Sequence, residues 1–232
     1  MKISTLKFAI VAAIVASAGP ANAALTNGLT LDMTRAPTGG IVQPASGSYF
    51  SMLALDTTLN GVPDTTVYIP IASFNGIRLG TTQTASGSHS GAVNGTENPD
   101  IDDPWGFFGN TGMHQTTSNS NVLSASGNTA TVDFSGWNVT WNGIAGIPMG
   151  SGAWGGNADG VADITCAVDC SYGDTYTLDY TATVPLGDPS NFGGVSYGLH
   201  LEGSVVPVPA AVWLFGSGLL GLVGVARRRK AA

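Results

Sequence analysis

The chain has 232 residues, 33 of them glycine, with 15 acidic against 8 basic side chains and a formal charge of −7. Lys2, Lys7, Arg227, Arg228, Arg229 and Lys230 sit at the two ends, so the body keeps only Arg35 and Arg78 against all fifteen acids, a formal charge of −13. A body this acidic argues against a nucleic-acid partner and against anionic membrane surfaces, and suits solubility outside the cell or binding of divalent cations.

In chain order, Lys2 and Lys7 flank the start of an apolar stretch from Phe8 to Ala18, which Gly19-Pro20 breaks. Ala21-Asn22-Ala23 then gives an A-x-A cleavage site. Residues 1–23 therefore read as a signal helix cut before Ala24 by signal peptidase, which commits the chain to the export machinery. The exported domain is expected over residues 24–204.

That domain carries a period of two rather than 3.6. An edge strand is expected near Leu29 to Met33 and another over Tyr49 to Leu55. The turn-rich Asp56 to Asp64 follows, with Asn60-Gly61 as a hairpin signal. Val67, Ile69 and Ile71 alternate with Tyr68 and Pro70, and Ile77 to Thr82 reads as a further strand. Ala130, Val132 and Phe134 form one face of a strand, and Trp137, Val139 and Trp141 one face of the next. The clearest alternation runs from Thr175 to Val184: Tyr176, Leu178, Tyr180, Ala182 and Val184 face one way, Thr and Asp the other. Val195, Tyr197, Leu199 and Leu201 share a face of the last strand, which leaves His200 on its polar side. Many short alternating strands separated by Gly/Asn/Pro turns predict an all-β, antiparallel β-sandwich, jelly-roll-like, with one wet and one buried face per strand.

Between Thr84 and Ser120 the alternation stops, and the sequence predicts a long irregular segment holding His89 and His114. Loops of that length are usually functional or disordered. Its centre carries Glu97, Asp100, Asp102 and Asp103, then Trp105, Phe107 and Phe108. Two readings stand. The aromatics bury themselves against the core while the acids stay in water; or Asp100, Asp102 and Asp103 supply oxygens to Ca²⁺ beside a sugar-stacking Trp105. A second polar cluster, Asn157, Asp159 and Asp163, reads either as a glycine-rich turn or as another calcium site. Cys166 and Cys170, an even pair in an exported chain, predict a disulfide across a small loop. No H-E-x-x-H or G-x-S-x-G motif occurs, so no enzyme is expected; a carbohydrate-active enzyme working through the loop carboxylates is the alternative.

The C-terminal segment, 205–232, has three parts. Val206, Pro207, Val208, Pro209 and Ala210 come first. An uncharged apolar run over 210–226 follows, about 26 Å long as a helix and so slightly short of a bilayer core. Arg227, Arg228, Arg229 and Lys230 close it and are expected to stay cytoplasmic, with the body outside. Taken physically this is a transmembrane helix, and a plain membrane-anchored periplasmic domain is one reading of it.

The order of Pro-rich motif, short Gly-rich apolar helix and terminal arginines resembles the PEP-CTERM sorting signal in its VPLPA-type variant, with Val208 in place of leucine. The likeness covers about the last 27 residues. It implies an exosortase as partner, processing near Pro207–Pro209, and an inner-membrane intermediate in a Gram-negative bacterium. The end point would be the cell surface or the extracellular, exopolysaccharide or biofilm-associated matrix. What remains for the body is a structural or binding role.

Overall fold

The computed structural model describes residues 24–150 and 160–207. The signal peptide with Ala21 and Ala23, the residues Asn157 and Asp159, and the segment from Val208 onward, with Pro209, Ala210, the 210–226 run and Arg227 to Lys230, lie outside the described residues.

Thirteen strands and no helix make up the described chain. They are β1 (Leu29–Met33), β2 (Tyr49–Leu55), β3 (Thr65–Pro70), β4 (Ile77–Arg78), β5 (Trp105–Phe107), β6 (Asn110–Thr116), β7 (Val122–Ser126), β8 (Thr129–Asp133), β9 (Trp137–Trp141), β10 (Ile144–Pro148), β11 (Val161–Cys166), β12 (Thr175–Thr183) and β13 (Ser196–Pro207). All the strand pairs are antiparallel. A nine-stranded sheet runs β3-β2-β13-β12-β11-β8-β7, with β1 joined to β13 and β4; a four-stranded sheet runs β10-β9-β6-β5. Nine strands against four departs from the even eight-strand division of a jelly roll.

The period-two pattern decides which face is buried. On β12, Tyr176, Leu178, Tyr180 and Ala182 are buried and Thr175, Asp179 and Thr181 exposed. β13 adds Tyr197, Leu199, Leu201 and Val205, and β11 adds Ala162, Ile164 and Cys166, to the same core. Facing them from the smaller sheet are Trp105, Phe107, Trp137, Val139 and Trp141. Phe50 of β2 meets Trp105 with ring centroids 4.6 Å apart, and the Tyr180 hydroxyl donates to the Met149 carbonyl at 2.5 Å. Each such side chain contributes about 1.5–3 kcal/mol by leaving water.

β13 is the axis of the larger sheet. One edge pairs with β12 along nearly its whole length, while the other is shared, Tyr197–His200 with β2 and Gly203–Pro207 with β1. The fork falls at Glu202. Its carbonyl accepts from Thr34 N (2.8 Å) and Ser48 Oγ (3.0 Å), and its carboxylate accepts from Gly47 N (2.8 Å). Gly203 is required just beyond, because a Cβ there would stand 1.7 Å from the Asp32 carbonyl oxygen.

Several elements differ from the sequence expectation. β1 is no edge strand, since β13 and β4 flank it. Asn60-Gly61 is not a two-residue hairpin turn. It lies in a nine-residue loop in which Asp56 accepts from the Asn60 and Gly61 amides, and Asp64 from those of Thr57 and Thr58. Of Ile77 to Thr82 only Ile77–Arg78 is strand. The irregular segment contains β5 and β6, an edge strand and a central strand of the smaller sheet. β6 is buried on both faces and so shows no alternation: Gly112, His114 and Thr116 point to the core. Thr111, Met113 and Gln115 lie under residues 84–98, where Thr111 Oγ1 donates to Gly91 O (2.8 Å) and Ala85 N to Gln115 Oε1 (3.1 Å). That segment is a cover for the outer face of the smaller sheet.

Candidate functional site

Asp102 is fully buried, and both of its carboxylate oxygens are used. Oδ1 accepts from His114 N (2.9 Å); Oδ2 accepts from His114 Nδ1 (2.5 Å) and Trp105 Nε1 (3.0 Å). His114 Nε2 faces the Tyr197 hydroxyl at 2.9 Å, and Trp137 Nε1 donates to that hydroxyl at 3.2 Å. Burial pushes the Tyr197 phenol well above its ordinary value, so it keeps its proton and can donate to His114. Every side-chain polar atom of the Asp102–His114–Tyr197 network is then paired, which is the condition for placing a carboxylate inside a core. The Tyr–His–Asp order has the form of a proton relay. None of the three side chains is more than 2 % exposed, so a substrate has no access and the network is structural.

The structure places the residues of the candidate ligand loop in different environments. Trp105 is buried with its indole N–H committed to Asp102, and cannot stack on a sugar. Asp100 is held by Arg78 (2.8 Å) and Asn75 (3.0 Å), and only Asp103 is exposed. Asp163 lies on the outer face of β11. Among the described residues no three His, Cys, Asp or Glu side chains are arranged to hold a metal ion. Cys166 and Cys170 are bonded as the sequence predicts, and the Asp174 carboxylate caps their turn by accepting from Val168, Asp169 and Cys170 amides. A cavity of about 20 Å³ between Phe50, Phe107, Trp141 and Phe192 holds at most one water, and its apolar lining would keep it dry.

The outer face of the nine-stranded sheet is different. The registers place Pro70, Tyr49, His200, Asp179, Asp163 and Thr131 in one row across it, and Tyr68, Ser51, Gly198 and Thr181 in the next. Thr177, Thr165 and Thr129 continue the hydroxyl surface. Depressions of about 210, 560 and 350 Å³ lie along this face, the last two sharing Thr165. The smallest is the most built. Its floor is Gly198, where a Cβ would stand 2.7 Å from Ser51 Oγ, and its wall is an aromatic corner. Tyr49 meets Tyr68 edge to face (5.5 Å) and His200 at a tilt (5.1 Å), and the Tyr49 hydroxyl accepts from Gln43 Nε2 (2.8 Å).

His200 is more than exposed polar surface. Nδ1 lies 2.7 Å from Asp179 Oδ1 and Nε2 3.2 Å from Glu202 Oε1. Only an imidazolium donates from both nitrogens. Partial burial opposes that charge, but the two carboxylates outweigh it and raise the His200 pKa above its ordinary value. Glu202 is held below the usual carboxylate range by the Gly47 amide and by His200. A carboxylate held ionised is a poor general acid.

Sequence reading placed His200 and Asp179 on polar faces, but not the register that joins them to Tyr49, Tyr68 and Glu202. No protein-family model, no curated protein and no solved structure matches this chain.

Proposed function

We propose that this is an exported structural or binding protein of the cell surface or extracellular matrix, whose two sheets form a β-sandwich and whose outer face binds polysaccharide. The observation that carries the binding reading is the Tyr49–Tyr68–His200 corner beside Gly198, set in a broad surface of threonine hydroxyls. The half-buried Tyr68 ring, backed by the buried Tyr49, would cover the apolar side of a sugar ring, while Asp179, Gln43 and hydroxyls meet its rim. The supporting observation for the sandwich is that side chains of both sheets belong to one core. The route rests on the sequence: a signal peptide, then a PEP-CTERM-like tail acted on by an exosortase. Tyr68→Ala should weaken retention in a gel containing hydroxyethylcellulose, a soluble β-glucan, by about tenfold, the equivalent of about 1.4 kcal/mol. Unchanged retention would remove the corner from the reading. The route is tested by intact mass: secreted protein should start at Ala24 and lack the apolar run.

A further inference from the structure

The aromatic corner is clasped by one ionisable ring. His200 joins β12 to the fork of β13 by bridging Asp179 and Glu202, and Tyr49 packs on its face. Glu202 in turn ties down the Gly47 amide, two residues before Tyr49. We propose that His200 is a pH-dependent clasp that holds the polysaccharide corner in its binding shape when doubly protonated and releases it when neutral; this rests on the reading of that corner as the binding site.

The groups that face His200 come from every neighbouring strand. β12 supplies Asp179, with Asp163 of β11 paired beyond it; β13 supplies Glu202; β2 supplies Tyr49; and β3 supplies Tyr68 behind it. Burial holds the Tyr49 phenol above its ordinary value, so it stays neutral through the range in which the imidazole titrates. Loss of the His200 proton therefore leaves two carboxylates without their shared donor. A neutral ring has one N–H and satisfies only one of them. Asp179 then repels Glu202 across a bare ring, and the corner loses the preorganisation that favours binding.

The sign follows from the raised folded pKa. The contribution is complete below the unfolded value of about 6.5 and fades as pH rises through the folded one. The test measures hydroxyethylcellulose affinity and thermal midpoint of the wild type, His200→Gln and Asp179→Asn between about pH 5.5 and pH 9. Wild-type affinity should fall about fivefold to tenfold across that range, while His200→Gln stays weak and flat and Asp179→Asn, left with only the Glu202 bridge, binds more weakly than the wild type at about pH 5.5. The wild-type midpoint should also decline relative to His200→Gln as pH rises, with or without glycan. A His200→Gln profile that still falls like the wild type would overturn the clasp. If no protein binds glycan but the midpoint difference follows pH, the clasp stands and the binding reading fails. If the midpoint difference is flat, the clasp itself is wrong.

Discussion

Asp102 shows how much one side chain organises. Its carboxylate gathers Trp105, the His114 amide and the His114 ring, and through that ring Tyr197 and Trp137. These bonds join β5, β6 and β9 of the smaller sheet to β13 of the larger one. Asp102→Ala should leave several buried donors unpaired and cost about 3–5 kcal/mol in denaturant unfolding, whereas Asp103→Ala, at an exposed neighbour, should cost under about 0.5 kcal/mol. The sequence could not separate the two. Asp102 and Asp103 are adjacent acids ahead of an aromatic run, and which one enters the core depends on a pairing of distant strands. The same holds for His114, whose ring is read as loop until β6 is seen to be buried on both sides. Gly112 is a second test at this scale. A Cβ there would meet the Trp105 ring at 2.3 Å and the Thr140 carbonyl oxygen at 2.8 Å. Gly112→Ala should therefore destabilise by about 1–3 kcal/mol through overpacking.

Elements with one wet and one dry face were legible in the sequence. β1, β2 and β12 have the expected bounds or nearly so, because alternation survives wherever one side meets water. The smaller sheet was mostly hidden for the opposite reason. Residues 84–98 cover its outer face, so the polar residues Thr111, Gln115, Asn138 and Thr140 are buried there and the two-residue rhythm disappears from β6. The small Cys166–Cys170 loop is an element whose contribution is bounded by its size. A loop this short removes little entropy from the unfolded chain, and Asp174 caps the same turn independently. The double variant Cys166→Ala/Cys170→Ala should keep the fold and lose no more than about 2 kcal/mol in denaturant titration.

At the scale of the whole molecule, charge and register act together. The acidic, lysine-free body presents a broad hydroxyl-bearing sheet face, and two consecutive strand pairs far apart in sequence, β2–β3 and β12–β13, bring Tyr49, Tyr68, Asp179, His200 and Glu202 to one corner of it. β13 then runs on to Pro207, pairing Leu29 with Pro207, so the exits toward residue 24 and toward the C-terminal segment lie at the same end of the sheet. Val205 is fully buried there, and the first residues of the segment that resembles a sorting signal belong to the folded domain. The alternation of Tyr197, Leu199 and Leu201 marked the start of this strand; nothing local marked its continuation through Val206 and Pro207.

The most direct test of the central claim is retention of the 24–207 body, within the secreted protein, in hydroxyethylcellulose gels at about pH 5.5, compared with Tyr68→Ala and Asp103→Ala. The outer-face account predicts retarded migration of the wild type and of Asp103→Ala, and loss of most of that retardation in Tyr68→Ala. Retardation that survives Tyr68→Ala but disappears in Asp103→Ala would return the site to the Asp100–Trp105 loop and contradict the account.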